Sequence, residues 1–145
     1  MSSARSAVTR RRRDELLRRV GRAADAAEVF AIASSRVRAL VPFDAAIWVT
    51  TDPATGLPIG HTRIEDVDAV SPGQCSERRR REFVVDDVNR FHALARAERP
   101  AGAMHEAAGD PARNARYRWF LRPLGFVDEL RAVLRVAPGP GVPWP

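Results

Sequence analysis

Lysine is missing from this 145-residue sequence: all 24 basic residues are arginine. Without lysine there can be no Gly-x-x-x-x-Gly-Lys-Ser/Thr loop, whose Lys reaches the phosphates of a bound nucleotide. Alanine also occurs 24 times, so the Arg/Ala bias reads first as G- and C-rich coding and only then as chemistry. Cysteine occurs once, at Cys75, which excludes an internal disulfide framework and suits a reducing compartment. No apolar run approaches the ~20 residues of a membrane span. No apolar segment follows the N-terminal arginines, so no signal peptide is visible. The expectation is a cytoplasmic protein without a membrane partner.

Large apolar residues are scarce as well. Leu, Ile, Val and Phe make up about 23% of the chain, just above the ~20% below which chains tend to be disordered. One folded but thinly cored domain is expected. The net charge of +6 is localised: residues 1–22 hold eight Arg against Asp14 and Glu15, and the rest of the chain is balanced. The basic character belongs to an N-terminal arm, which argues against a nucleic-acid-binding face on the domain itself.

The pattern along the chain predicts a disordered basic arm over 1–13. A long N-terminal helix over 14–41 follows, because Leu16, Val20, Ala23, Ala27, Phe30, Ser34, Val37 and Val41 are spaced alternately by four and three. That seam fits either packing on its own domain or a dimer interface. Phe43–Thr50 and Leu57–Thr62 read as a hairpin around Asp52-Pro53-Ala54-Thr55-Gly56. A helix from Ser76 to about Ala97 is expected, with Val84, Val88, Phe91 and Ala95 as its apolar stripe. A weak strand follows over 101–107, then a helix opened by Asp110-Pro111. In the last strand, Phe126–Val136, Leu130, Ala132, Leu134 and Val136 alternate with arginines and Val133. Residues 137–145 form a Pro/Gly-rich tail. Helices mixed with an early hairpin give an α+β class.

Sites of chemistry are few. His61, His92 and His105 have no short metal-ligand spacing, and Cys75 has no second Cys, so no metal site and no cofactor are expected. No Gly-x-Gly-x-x-Gly and no Gly-x-Ser-x-Gly occurs. No catalytic residues are assigned; an enzyme using Cys75 or His105 is the remaining catalytic alternative. Asp86-Asp87 reads as a solvated pair offsetting Arg78–Arg81, whose bracketing by Glu77 and Glu82 weakens it as a phosphate patch. Arg10, Arg11, Arg12 and Arg13 are the better candidates for nonspecific phosphate contact. Trp48, Phe91, Met104 and Tyr117 are candidates to line a small-molecule pocket, or else core.

Several segments form a recognisable set: Leu40-Val41-Pro42-Phe43-Asp44-Ala45-Ala46-Ile47-Trp48 with Thr51–Pro58, and Val85-Asp86-Asp87-Val88-Asn89-Arg90-Phe91 with Leu94-Ala95-Arg96. Met104-His105-Glu106-Ala107, Asp110–Arg113 with Ala115-Arg116-Tyr117, Arg122–Phe126 and Asp128–Val133 complete it. Over about residues 14–136 the sequence resembles the N-terminal GAF-like sensory region of actinobacterial LuxR-type helix-turn-helix transcriptional regulators. The resemblance implies a sensor domain rather than an enzyme: an antiparallel sheet between helices that often binds a small molecule on one face.

In that family a Gly-rich turn and a Trp follow the strand near Leu130–Val136, then further strands, a closing helix and the DNA-binding module. Here only Gly139–Trp144 echoes the turn. The expectation is a partial GAF-like domain over 42–136, truncated before the DNA-binding module, with late strands missing and the Phe43–Thr50 strand left with an open edge. Such a chain would not bind DNA sequence-specifically. It would regulate through an unidentified small molecule, or by forming a homodimer or a heterodimer with a full-length regulator.

Overall fold

The computed structural model describes residues 2–67, 71–85 and 87–135, and the side chains of these except 2–5, His61, Cys75 and Arg78. The class is α+β, and the described residues divide into two compact units. The first holds the chain up to Thr51 together with Pro58–Val67; the second holds Asp52–Leu57 and the chain beyond Val67. Both hairpin strands fall in the first unit with the N-terminal helices.

In the first unit, α1 spans Ser2–Val20 and α2 spans Ala26–Arg38. Two expectations are corrected here. Residues 2–13, expected to be disordered, are helical, and the single helix over 14–41 is two. The break has a local cause. Asp25 in an extended conformation accepts a hydrogen bond from the Glu28 amide at 2.8 Å, and Glu28 Oε2 accepts one from the Ala24 amide at 2.8 Å. This reciprocal cap starts a new helix just after Gly21. The heptad seam is therefore not continuous, and its central residues Phe30 and Ser34, with Ala33, are buried within the unit.

Strands β1 (Ala46–Thr51) and β2 (Pro58–Glu65) pair antiparallel as expected, from Ala46 opposite Glu65 to Thr51 opposite Pro58. The register is irregular between Val49 and Thr51, where Thr50 Oγ1 donates to the Ile59 carbonyl at 2.7 Å and Gly60 takes a positive φ. Such a kink suits glycine, which has no Cβ to clash there. The predicted turn forms: Asp52 accepts from the amides of Ala54 and Thr55 at 2.7 and 2.9 Å, and Gly56 is left-handed. Phe30 packs on Trp48 with ring centroids 6.0 Å apart. At the far end of β2, Ser34 Oγ donates to Glu65 Oε2 at 2.6 Å, and Arg38 lies over the Phe43 ring while bonding Asp66.

In the second unit, α3 (Pro72–Phe83) and α4 (Phe91–Arg96) replace the single helix expected over 76–97. Ser71, not Ser76, is the cap, in a full capping box with Gln74 and with Pro72 at the first helical position. Val84 is 76% exposed rather than part of a buried stripe. Asn89 at φ 54 takes the chain out of the helical region before α4.

The weak strand over 101–107 is present only as β3 (Ala101–Ala103), and α5 (Met104–Ala108) follows directly. Asp110 does cap the next segment, but that segment is a 3-10 turn, Pro111–Arg113, followed by a π-helical turn, Tyr117–Leu121, and a second 3-10 turn, Arg122–Leu124. The last strand, β4 (Leu130–Ala132), pairs antiparallel with β3. Of its two alternating faces the arginine side is the buried one: Leu130 is 56% exposed and Leu134 65%, whereas Arg131 is 7% exposed. Val136 and the tail 137–145 lie outside the described residues. The core of this unit is Met104, Phe120 and Leu121, with Val88, Ala108, Tyr117, Leu124 and Phe126 against it.

Candidate functional site

Arg131 turns inward because three acceptors wait for it. Its Nη1 lies 2.9 Å from Glu82 Oε2, its Nε lies 3.1 Å from Glu129 Oε2, and its guanidinium carbon sits 4.7 Å above the Phe91 ring. The other oxygen of Glu82 accepts from the Phe91 amide at 2.5 Å, so one carboxylate holds both the start of α4 and the middle of β4. Glu129 Oε2 is shared with Arg116 Nη2 at 2.9 Å.

Arg116 extends the chain of charges. Its Nη1 lies 2.9 Å from Asp87 Oδ2 and donates to the Val88 carbonyl at 3.1 Å. Asp87 Oδ1 accepts from the Asn114 amide group at 2.7 Å and from the Val88 amide at 2.8 Å. The result is an alternating series, Glu82–Arg131–Glu129–Arg116–Asp87, with every member buried or nearly so. Burial lowers the Arg116 pKa and Arg131 lowers it further, while Glu129 and Asp87 oppose them; the group stays a cation at any physiological pH. The contacts of Arg116 Nη2 and Arg131 Nε with Glu129 are ion pairs by distance without good hydrogen-bond alignment. The series is thus held more by charge than by directed hydrogen bonds at Glu129.

These groups are occupied by one another and present no free nucleophile. Next to them, Asn89 Nδ2 donates to the Ala103 carbonyl at 3.1 Å. Asn89 also covers Gly102, where an added Cβ would stand 2.4 Å from Asn89 Oδ1. A shallow depression of about 160 Å³ opens here, bordered by Asn89, Gly102, Arg99 and Glu106. It is smaller than the ~300 Å³ at which small-molecule sites begin. Arg99 and Glu106 close its rim with paired contacts of 3.1 and 3.2 Å.

The four residues expected at a pocket are not gathered in one unit. Phe91 lies under Arg131, Met104 is 0% exposed at the centre of the core, and Tyr117 packs against that core, all in the second unit. Trp48 belongs to the first unit, its ring tilted against Phe30. Its Nε1 is buried and meets no acceptor among the described residues. A buried N–H without a partner is uncommon enough to need a reason.

Cys75 lies on α3, but its thiol is outside the described side chains. The His105 ring is exposed, with Nδ1 3.5 Å from Asp128 Oδ1; the same oxygen accepts from the His105 amide at 3.1 Å. No group of three His, Cys, Asp or Glu among the described residues could hold a metal. No described helix is long and apolar enough to cross a membrane. Arg10–Arg13 lie on α1 and are exposed.

Sequence reasoning missed the charge series altogether. The available signal was Arg131 in the middle of an alternating strand, but periodicity alone cannot say which of two alternating faces is buried. No protein-family model, curated protein or solved structure matches this chain.

Proposed function

We propose that this chain is a non-catalytic sensory module of a transcriptional regulator, of the GAF-like kind that its motifs resemble. One observation carries the reading. The segments behind the resemblance contribute Asp87, Phe91, Arg116, Glu129 and Arg131, and these residues spend their charge and ring faces on each other. An enzyme would aim such groups at a cleft. Here they fix a scaffold.

The small-molecule side of the reading rests on Trp48, whose indole N–H is buried beside Phe30 without an acceptor. A ligand carrying a carbonyl or similar acceptor would satisfy it. The test is a thermal-shift screen of small metabolites on the wild-type chain and on Trp48→Phe. A compound that raises the melting temperature of the wild type and not of the variant supports the reading. Shifts that are identical in both proteins remove Trp48 from it.

An interaction module is the second reading. Val127, Leu130 and Leu134 are exposed apolar residues in and around β4. Light scattering of the chain alone, and mixed with an intact LuxR-type regulator, decides it: a strict monomer in both samples excludes that role.

A further inference from the structure

The whole net charge of the chain is carried by residues 1–22, and the structure makes most of that segment a helix. Every described side chain from Ser6 to Arg13 is exposed, so this half of α1 stands clear of α2. At 1.5 Å per residue those eight residues form a rod about 12 Å long. Arg10, Arg11, Arg12 and Arg13 are consecutive and point about 100° apart, so they ring the axis rather than line one side.

Farther along, Arg11, Arg12, Arg18 and Arg19 stand four and three residues to either side of Glu15, which places them on its face. Glu15 is taken by Arg19 at 3.2 Å and by Arg36 of α2 at 3.0 Å. Arg13 pairs with Asp14 at 3.1 Å. Among the described residues no carboxylate lies within ion-pair distance of Arg10, Arg11, Arg12, Arg18 or Arg22.

We infer that the free half of α1 lies in the major groove of duplex DNA, with its guanidiniums on phosphates of both strands and no sequence read. The shape fits: a helix 10–12 Å across enters the ~12 Å major groove of B-form DNA, whereas the major groove of duplex RNA is deep and narrow. Cations all round the axis match a groove with phosphates on both walls. A membrane surface meets a helix from one side and requires a continuous apolar face, which this arginine-ringed stretch lacks. No aromatic residue occurs on α1 to stack the bases of a single strand. The forked guanidinium suits phosphate oxygens.

The experiment is fluorescence anisotropy of the full chain with a 25-base-pair DNA duplex of arbitrary sequence, from 50 to 200 mM salt. Four phosphate contacts predict a roughly 100-fold loss of affinity across that range. Replacing Arg10, Arg11, Arg12 and Arg13 by Gln, a residue of similar helix propensity, lowers the slope of log K against log salt by about 3–4. A charge-matched variant with Arg79, Arg96, Arg113 and Arg122 replaced by Gln keeps the wild-type slope. Circular dichroism checks that both variants retain helix. Salt-insensitive binding overturns the inference, as does an equal loss in the two variants. Tighter binding to duplex RNA, to a single strand or to phosphatidylserine vesicles overturns it in favour of that partner.

Discussion

Glu82 and Arg131 lie 49 residues apart in sequence and meet at 2.9 Å inside the second unit. This contact ties the end of α3 to β4, and through the Phe91 amide it also sets the start of α4. Removing Arg131 leaves Glu82 without its cation and Glu129 with only Arg116. Arg131→Met is therefore expected to cost about 3–5 kcal/mol, read as a lower urea midpoint. Adding Glu82→Leu to Arg131→Met should recover part of the loss, because no lone carboxylate then remains at that end. A double variant as unstable as the sum of the two singles would contradict the pairing.

Asn89 and Gly102 form a second constraint. Gly102→Ala puts a methyl group 2.4 Å from Asn89 Oδ1, so the Asn89 side chain must leave the Ala103 carbonyl. A loss of about 1–3 kcal/mol is expected by thermal or urea unfolding. Asn89→Gly keeps the left-handed backbone and removes the clash, so Gly102→Ala should cost little in that background. An equal cost in both backgrounds would contradict the contact.

Acid should weaken the first unit where β2 meets α2. Burial raises the Glu65 pKa, but hydrogen bonds from Arg63 and Ser34 and the charges of Arg63 and Arg38 outweigh it, leaving the group below its ordinary 4.5. A carboxylate lowered by folding stabilises the fold above its unfolded pKa, and that contribution is lost as pH falls through the folded value. Melting temperature is thus expected to fall below about pH 4.5, and Glu65→Gln should flatten that part of the profile. An unchanged profile in the variant would exclude Glu65. The exposed Asp52 carboxylate, lowered by the Thr55 and Ala54 amides, acts in the same direction on the turn.

Leu130 and Leu134 are exposed, so Leu130→Glu and Leu134→Glu should change the stability of the chain by no more than about 0.5 kcal/mol. If the chain self-associates through β4, these variants should shift light scattering towards monomer at unchanged melting temperature. A loss of several kcal/mol would mean that these side chains are buried within the unit.

Local signals were legible in the sequence. The hairpin, its Asp52–Gly56 turn and the Asp110 cap all come from residues acting on their own neighbours. The errors arose where two local signals competed. The seam from Leu16 to Val41 carried a helical period through Gly21 and Asp25, yet the Asp25–Glu28 cap outweighs it. Val84 and Val88 fitted a helical stripe, but the helix stops at Phe83, with Val84 as its cap, and Asn89 at φ 54 follows before the next one. The sidedness of β4 was not legible, because it is set by Glu82 and Glu129 reaching Arg131 across the fold. Nor does any local pattern in Asp87, Arg116, Glu129 and Arg131 show that these charged residues face each other.

The most direct test of a sensory role is a thermal-shift screen followed by mass spectrometry of the compounds that bind. A non-catalytic sensor should be stabilised by at least one small molecule, lose that response in Trp48→Phe, and return the compound chemically unchanged. A compound converted by the wild-type chain, or a panel in which nothing shifts its melting temperature, would contradict it.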